Sequence, residues 1–266
     1  MFDVGRDPSP LRGRTVVVTG VSRRAGIGHA VACRAAAYGA NVLCHHFSQH
    51  DEQQPWGADD IGAVMDSVRG HLTDGARVVD LEADLADPGA PEQLIATAHS
   101  AFGGIDALVC NQALSGFDGA LGELTADDLD RHRAVNTRTS ILLAQALLAQ
   151  HRAGQLASVV FMTSGQNLGP MPGEVAYAAA KAGLVGVTAT LADQVGGRGI
   201  RINAVNPGPV DTGYLTESAV SELEHRFAGG RVGSPDDAAR LVTWLCTDEA
   251  AWITGQVINS EGGFRR

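Results

Sequence analysis

Short β-branched runs alternate along this chain with Ala-rich stretches of helical length. That alternation restricts the architecture more than any other feature. Thr15-Val-Val-Val-Thr19 precedes a glycine turn and a predicted helix from about Ile27 to Tyr38, which Gly39 ends. Strands follow at Asn41 to His45, Arg77 to Leu81 and Ala107 to Cys110. Helices are expected from about Asp59 to Leu72 and from about Pro91 to Phe102, with a polar, Pro-containing stretch at Ser48 to Gly57. In the second half a long helix is expected from about Ala126 to Arg152, then a strand at Ser158 to Met162 and a helix from Ala176 to Val195. Strands at Ile200 to Val205 and Gln256 to Asn259 flank a helix from about Pro235 to Cys246. Several strands are apolar throughout, as expected when both faces of a parallel sheet are covered. The order predicts an α/β fold: a doubly wound parallel sheet of about seven strands with helices on both faces. No composition break divides the chain, so residues 1–266 read as a single domain.

Charge narrows the function. The formal net charge is −10, which argues against nucleic acid, whose phosphates need a basic surface, and against an anionic membrane. No run of 18 apolar residues is present, so no membrane span is expected. The N-terminal sequence has no apolar signal region. Cys33, Cys44, Cys110 and Cys246 show no metal-binding or Cys-x-x-Cys spacing, and each lies in apolar sequence. They read as reduced core residues of a cytoplasmic protein.

Thr19-Gly20-Val21-Ser22-Arg23-Arg24-Ala25-Gly26-Ile27-Gly28 leaves the first strand and opens the first helix. In that context Gly20 permits a tight turn, and Gly26 and Gly28 let a pyrophosphate approach the helix N-terminus, a Rossmann-type dinucleotide site. An NAD site usually carries Asp or Glu at the end of the second strand. Here that strand ends His45-His46-Phe47-Ser48, with no carboxylate before Asp51. Arg23 and Arg24 could pair a 2′-phosphate, with Ser22 and His46 as further donors, so NADP is the expected cofactor. His45 and His46 should point to opposite faces of a strand, so no metal site is expected.

Twenty residues are basic and nineteen of them are Arg; the single lysine, Lys181, follows Tyr177 by four positions. On a helix this spacing places both side chains along one face. A cation there favours the phenolate and makes the phenol a better acid. Ser164 closes the fifth strand thirteen residues before Tyr177, Asn136 lies on the preceding long helix, and Asn206-Pro207-Gly208-Pro209-Val210-Asp211-Thr212 follows the sixth strand.

This order of glycine loop, Asn, Ser, Tyr-x-x-x-Lys and Pro-Gly closely resembles the classical short-chain dehydrogenase/reductase family, from about Leu11 to Phe264. Within it the chain looks most like the 3-oxoacyl-carrier-protein reductase subgroup. The resemblance implies a catalytic set of Asn136, Ser164, Tyr177 and Lys181. Tyr177 would protonate a carbonyl oxygen, and Ser164 would hold that oxygen. Lys181 would lower the tyrosine pKa and bind the nicotinamide ribose, and Asn136 would anchor a water in a proton relay. It assigns cofactor contacts to Gly20, Ser22, Arg23, Arg24, Gly26, Ile27, Gly28, His46, Asp84, Leu85, Asn111, Pro207, Gly208, Val210 and Thr212, with Tyr177 and Lys181. One departure stands out. The family's usual Asn-Asn-Ala-Gly reads Cys110-Asn111-Gln112-Ala113, which puts the loop beside the cofactor in question.

The expected function is NADPH-dependent reduction of a ketone or aldehyde. The alternatives are an NADP-dependent dehydrogenase of a sugar, cyclitol or natural-product alcohol, and a non-catalytic dinucleotide sensor. Residues from Gly213 to about Gly230 should form a substrate lid, with Glu217, Glu222 and Glu224 making it acidic, a feature that disfavours a negatively charged carrier arm. The long apolar helices predict a homotetramer, or failing that a dimer.

Overall fold

The computed structural model describes residue 5 and residues 7–266. Seven strands form one parallel sheet: β1 (Thr15–Val18), β2 (Asn41–His46), β3 (Val78–Glu82), β4 (Ala107–Cys110), β5 (Ala157–Met162), β6 (Ile200–Asn206) and β7 (Val257–Asn259). Their order is β3-β2-β1-β4-β5-β6-β7, with every neighbouring pair parallel. The order reverses between β1 and β4, and a crevice opens beyond their carboxyl ends, where open α/β sheets bind ligands. The register Val18↔Val109 brings the glycine loop alongside Asn111.

The strand side chains alternate between two apolar layers. Val16 and Val18 pack with Val31, Ala35 and Val242, on the side of α1 (Ile27–Ala37) and α9 (Pro235–Leu245). Val17, Leu108 and Phe161 pack with Leu94, Leu143 and Leu184, on the side of α4 (Ala90–Phe102), α6 (Thr139–Gln150) and α7 (Val175–Gly196). Both faces are therefore covered, which is why the central strands are apolar throughout.

Three segments differ from the expectation. Ser48–Glu52 forms a short helix, α2, ahead of α3 (Ile61–Arg69), which Asp60 caps by accepting from the Ala63 N–H. Glu217–Glu224 forms α8 within the lid. The long helix is not continuous: α5 (Ala126–His132) passes through a π-helical turn, Arg133–Arg138, into α6. Hydroxyl groups enter the backbone ladder there. Thr139 Oγ1 donates to the Ala134 carbonyl at 2.9 Å, and Ser140 Oγ donates to the Asn136 carbonyl at 3.2 Å. Such turns widen the helix and re-aim a side chain, here Asn136.

Helix α7 is long and apolar enough to cross a bilayer by length and composition, with a mean hydropathy of 1.4. Its place beside β6 and the π turn accounts for part of that apolarity, since Leu184, Ala192 and Val195 lie in the core.

Candidate active site

Glycine geometry builds the cofactor end of the crevice. Gly20 adopts φ 71°. A Cβ on Gly28 would lie 2.3 Å from the Gly20 carbonyl oxygen and 2.6 Å from Asn111 Nδ2, so Gly28 serves the close fit of α1 against the loop. Asn111 Nδ2 donates to the Thr19 and Gly20 carbonyls at 3.0 and 3.2 Å, tying the end of β4 to the loop. The departure at Gln112 is absorbed by hydrogen bonds. Thr19 Oγ1 donates to Gln112 Oε1 at 2.5 Å, while Gln112 Nε2 donates to the Val135 carbonyl at 3.1 Å and to Ser140 Oγ at 2.9 Å. Gln112 thus joins β1, β4 and the π turn through a fully satisfied buried amide.

A cavity of about 490 Å³ runs from this loop to the catalytic residues, lined by Gly20, Ser22, Arg23, Gly26, Ile27, Asp84, Leu85, Asn111, Pro207, Thr212, Tyr177 and Lys181. Thr212 Oγ1 is buried in this wall without a partner. An orphaned hydroxyl facing a crevice edged by glycine backbone suits a polar ligand, and the set fits a dinucleotide. Gly208, Val210 and Ser164 instead line a second cavity of about 850 Å³. Tyr177 borders both.

Two expected cofactor-binding side chains line neither cavity, one turned away and one exposed outside. The His46 imidazole turns away to Asp80, with Nε2 3.2 Å from Oδ2. Its neighbour His45 lines the cavity, accepting from the Gly20 N–H at 3.3 Å. Strand alternation allowed one of the two, and pairing with β3 selected the other face for His46. Arg24 also lies outside the cavity lining, its backbone N and Nε donating to Asp59 Oδ2 at 2.7 and 3.3 Å. The sequence reading missed Phe47, Gln49, His50, Asp51 and Trp56, which α2 and its following loop bring to the cavity.

Helix α7 presents Tyr177 and Lys181. Asp118, from the loop after β4, caps this helix: its carboxylate accepts from the Ala176 N–H at 2.9 Å and the Tyr177 N–H at 2.7 Å. Burial works to raise the Asp118 pKa, but the Tyr177, Ala176 and Gly119 donors outweigh it and hold it below its usual value. Nothing in Gly-Phe-Asp-Gly marked this residue in the sequence. On the other side the Tyr177 ring meets His132 edge-on, with centroids 6.2 Å apart. Asn136 is fully buried, and its side chain is held mainly by Leu114: Oδ1 accepts from the Leu114 N–H at 2.8 Å, and Nδ2 donates to its carbonyl at 3.1 Å, with His132 Nδ1 3.4 Å from the same nitrogen. Its amide therefore shapes the loop after β4.

The expected lowering of the tyrosine pKa is not what this geometry produces. Burial pushes Tyr177 well above its usual value, and the neighbouring Ser164 hydroxyl only partly opposes it. Lys181 is only 2% exposed, donates to the Met162 carbonyl at 2.9 Å, and lies 5.6 Å from the Tyr177 ring centroid. Burial pulls its pKa down to about 8 from 10.5. Desolvation thus governs both groups ahead of their mutual attraction.

A stability prediction follows from the lysine. Between about pH 8 and 10.5 the unfolded chain binds a proton that the folded chain has lost, so this group makes stability rise with pH across that window. The gain over Lys181→Met should be on the order of 3 kcal/mol by pH 10.5. The buried cysteines and Tyr177 oppose it, because their raised pKa values cost stability as pH climbs, but they do so in both proteins. Denaturant unfolding of both proteins across this range would show the rise; a flat difference would contradict it.

A dinucleotide crevice at the strand reversal, joined to a Tyr–Lys pair on one helix, defines a nicotinamide-type oxidoreductase. The chain belongs to the short-chain dehydrogenase/reductase family. A family model described as enoyl-(acyl carrier protein) reductase matches residues 20–265. The chain is 36% identical over 255 residues to the uncharacterized oxidoreductase YjdA of Bacillus subtilis, covering 95% of this chain and 97% of that protein. It is 30% identical over 270 residues to an NADPH-dependent aldehyde reductase-like chloroplastic protein of Arabidopsis thaliana, covering 98% and 97%. A short-chain dehydrogenase from Burkholderia cenocepacia, solved with NADP, superposes with a TM-score of 0.82 at 34% identity, covering 96% of this chain and 98% of that one.

Proposed function

We propose that the protein reduces a ketone or aldehyde to an alcohol with NADPH. The observation that carries this reading is the position of Tyr177 between the two cavities, with Ser164 lining the larger one beside it and Lys181 next to its ring. The reduced nicotinamide, when bound, supplies the hydride. Ser164 and the Tyr177 hydroxyl converge on the carbonyl oxygen, and Tyr177 gives up its proton as negative charge develops there. Lys181 then steadies the phenolate. The raised pKa keeps the proton on Tyr177 at neutral pH, so the residue stands in the form that can donate it. Turnover of ketones and aldehydes, followed as NADPH oxidation, tests this; no turnover across a broad panel would overturn it.

NADP is supported by the absence of an acid at the end of β2 and by the NADP complex of the Burkholderia relative. Arg23 is committed to Asp51, with its side chain 15% exposed, whereas Arg24 is 56% exposed on a half-open pair with Asp59. The 2′-phosphate would therefore fall to Arg24. Arg24→Ala should weaken NADPH binding at least about tenfold and leave NADH unchanged, as for one charge-assisted hydrogen bond of ~1.5 kcal/mol. Equal dissociation constants for NADPH and NADH in the wild type, or an unaltered preference in the variant, would refute the assignment.

A 3-oxoacyl-carrier-protein substrate is the finer alternative, and Glu222 and Glu224 on α8 weigh against it. Only 33% of the most apolar stretch of α7 is buried, which supports self-association along this helix, to a homotetramer or a dimer. A cytoplasmic location belongs to the same proposal.

A further inference from the structure

The walls of the larger cavity are aromatic to a degree that carbonyl reduction alone does not require. Trp56, from the loop after α2, and Tyr214, from the lid, meet with ring centroids 5.0 Å apart and planes 41° apart. Phe117 faces the same space. It holds φ 50°, a left-handed conformation rare for an aromatic residue, and 43% of its surface is exposed. These three rings stand where the two cavities meet and line both; with Met171, Leu215 and Leu223 they wall the one of about 850 Å³ that Tyr177 and Ser164 border. Pockets of this size suit ligands far larger than a simple aldehyde.

The roof is fixed in place. Trp56 Nε1 donates to Asp51 Oδ1 at 3.0 Å, and Arg23 Nε pairs with the same oxygen at 3.1 Å. The Arg23 guanidinium lies 5.4 Å from the Trp56 ring centroid, and Nη1 donates to the Thr212 carbonyl at 3.0 Å. The side chains of Arg23 and Asp51 are 15% and 12% exposed, so the pair is largely desolvated and holds its geometry. The glycine loop, the α2 segment and the start of the lid are thereby joined under one indole.

Most of the charges around the cavity are already engaged. Arg266 pairs Glu261 through both carboxylate oxygens. Asp118 is satisfied by backbone N–H groups. Arg226 Nε donates to the Arg265 carbonyl at 2.9 Å, with its guanidinium 4.8 Å from the Phe264 ring centroid. Arg226 is the one of these cations without a carboxylate partner among the described residues, and the Glu174 carboxyl lines the same cavity, which works against an anionic ligand.

We propose that this site takes an uncharged ketone or aldehyde carried on a flat aromatic system of two fused rings or more, with Trp56 and Tyr214 as its specificity-determining residues. The proposal rests on the reductase reading, and its test separates the two. Binding of 2-acetylnaphthalene and of cyclohexanone is measured by calorimetry in the presence of NADP+, where no reduction occurs, and kcat/KM is measured with NADPH. The naphthyl ketone should bind at least about tenfold tighter than cyclohexanone, and its ring-carboxylated analogue should bind more weakly than the parent. Tyr214→Leu and Trp56→Leu should each weaken the naphthyl ketone about three- to tenfold, the value of one aromatic contact, and shift the kcat/KM ratio toward cyclohexanone. Trp252→Ala, at a residue 99% exposed, should change neither. Trp56→Leu also disturbs the Arg23–Asp51 pair, so Tyr214→Leu, at a half-exposed residue, carries the test should the former misfold. Equal binding of the two ketones, or unaltered naphthyl binding in Tyr214→Leu, would overturn the aromatic site even with small ketones reduced. Selective naphthyl binding without turnover of any carbonyl would uphold the aromatic site and remove the reductase reading.

Discussion

Replacing Tyr177 with Phe should lower kcat by about 10²- to 10⁴-fold, the range that positioned proton transfer contributes, while the dissociation constant for NADPH stays close to the wild-type value. The surroundings of this residue explain why the two effects should separate. The ring and backbone are held without the hydroxyl: Asp118 caps the helix through the Tyr177 N–H at 2.7 Å, and His132 packs edge-on at 6.2 Å. Among the described residues no hydrogen bond to the phenol fixes the ring, so the Phe variant loses chiefly its transferable proton beside Ser164. Burial keeps that proton on the oxygen far above neutral pH, and only a developing oxyanion in the same desolvated space can draw it off. Steady-state kinetics with NADPH and a turned-over ketone, together with direct titration of NADPH binding, read the two effects apart. A kcat within a few-fold of wild type would mean that the proton comes from elsewhere. An equal loss in NADPH affinity would mean that the hydroxyl is structural.

Much of this arrangement was legible from the chain because it rests on local signals. Apolar runs such as Val16-Val17-Val18 and Val159-Val160-Phe161 placed the strands, and glycine at positions 20, 26 and 28 placed the nucleotide loop. The unread features depend on tertiary partners. The π turn at Arg133–Arg138 is set by which carbonyls Thr139 and Ser140 hydroxyls reach, and helical periodicity through Ala126 to Arg152 carries no mark of it. Period-two alternation put His45 and His46 on opposite faces, but only pairing with β3, and Asp80 on it, decides which face meets the cofactor. Ser48–Glu52 has no apolar stripe, and it gains its place through Asp51 engaging Arg23 and Trp56. The direction of the tyrosine pKa is set by desolvation, which a sequence does not display, ahead of the cation one helical turn away.

Lys181→Arg is the sharpest probe of the lysine, because nineteen of the twenty basic positions already carry Arg and the exchange leaves the net charge unchanged. It should lower both NADPH affinity and the rate of hydride transfer by at least about tenfold. Lys181 is 2% exposed, and among the described residues its Nζ donates to a single carbonyl, Met162 O at 2.9 Å. A guanidinium would bring five donors into a space built around a compact ammonium, and each buried donor left unmatched costs roughly 1–3 kcal/mol. The planar group is also longer, so it would press toward the Tyr177 ring, now 5.6 Å from Nζ, or into the cofactor cavity. Proton handling differs as well. Burial brings the lysine to about 8, where it can release and regain a proton beside the tyrosine at physiological pH, whereas a guanidinium stays charged throughout. The pH profile of kcat therefore distinguishes this role from simple packing: the basic limb set by Lys181 in the wild type should vanish in the Arg variant. Wild-type kcat and NADPH affinity in Lys181→Arg would show that any cation serves here, and that the single lysine is an accident of composition.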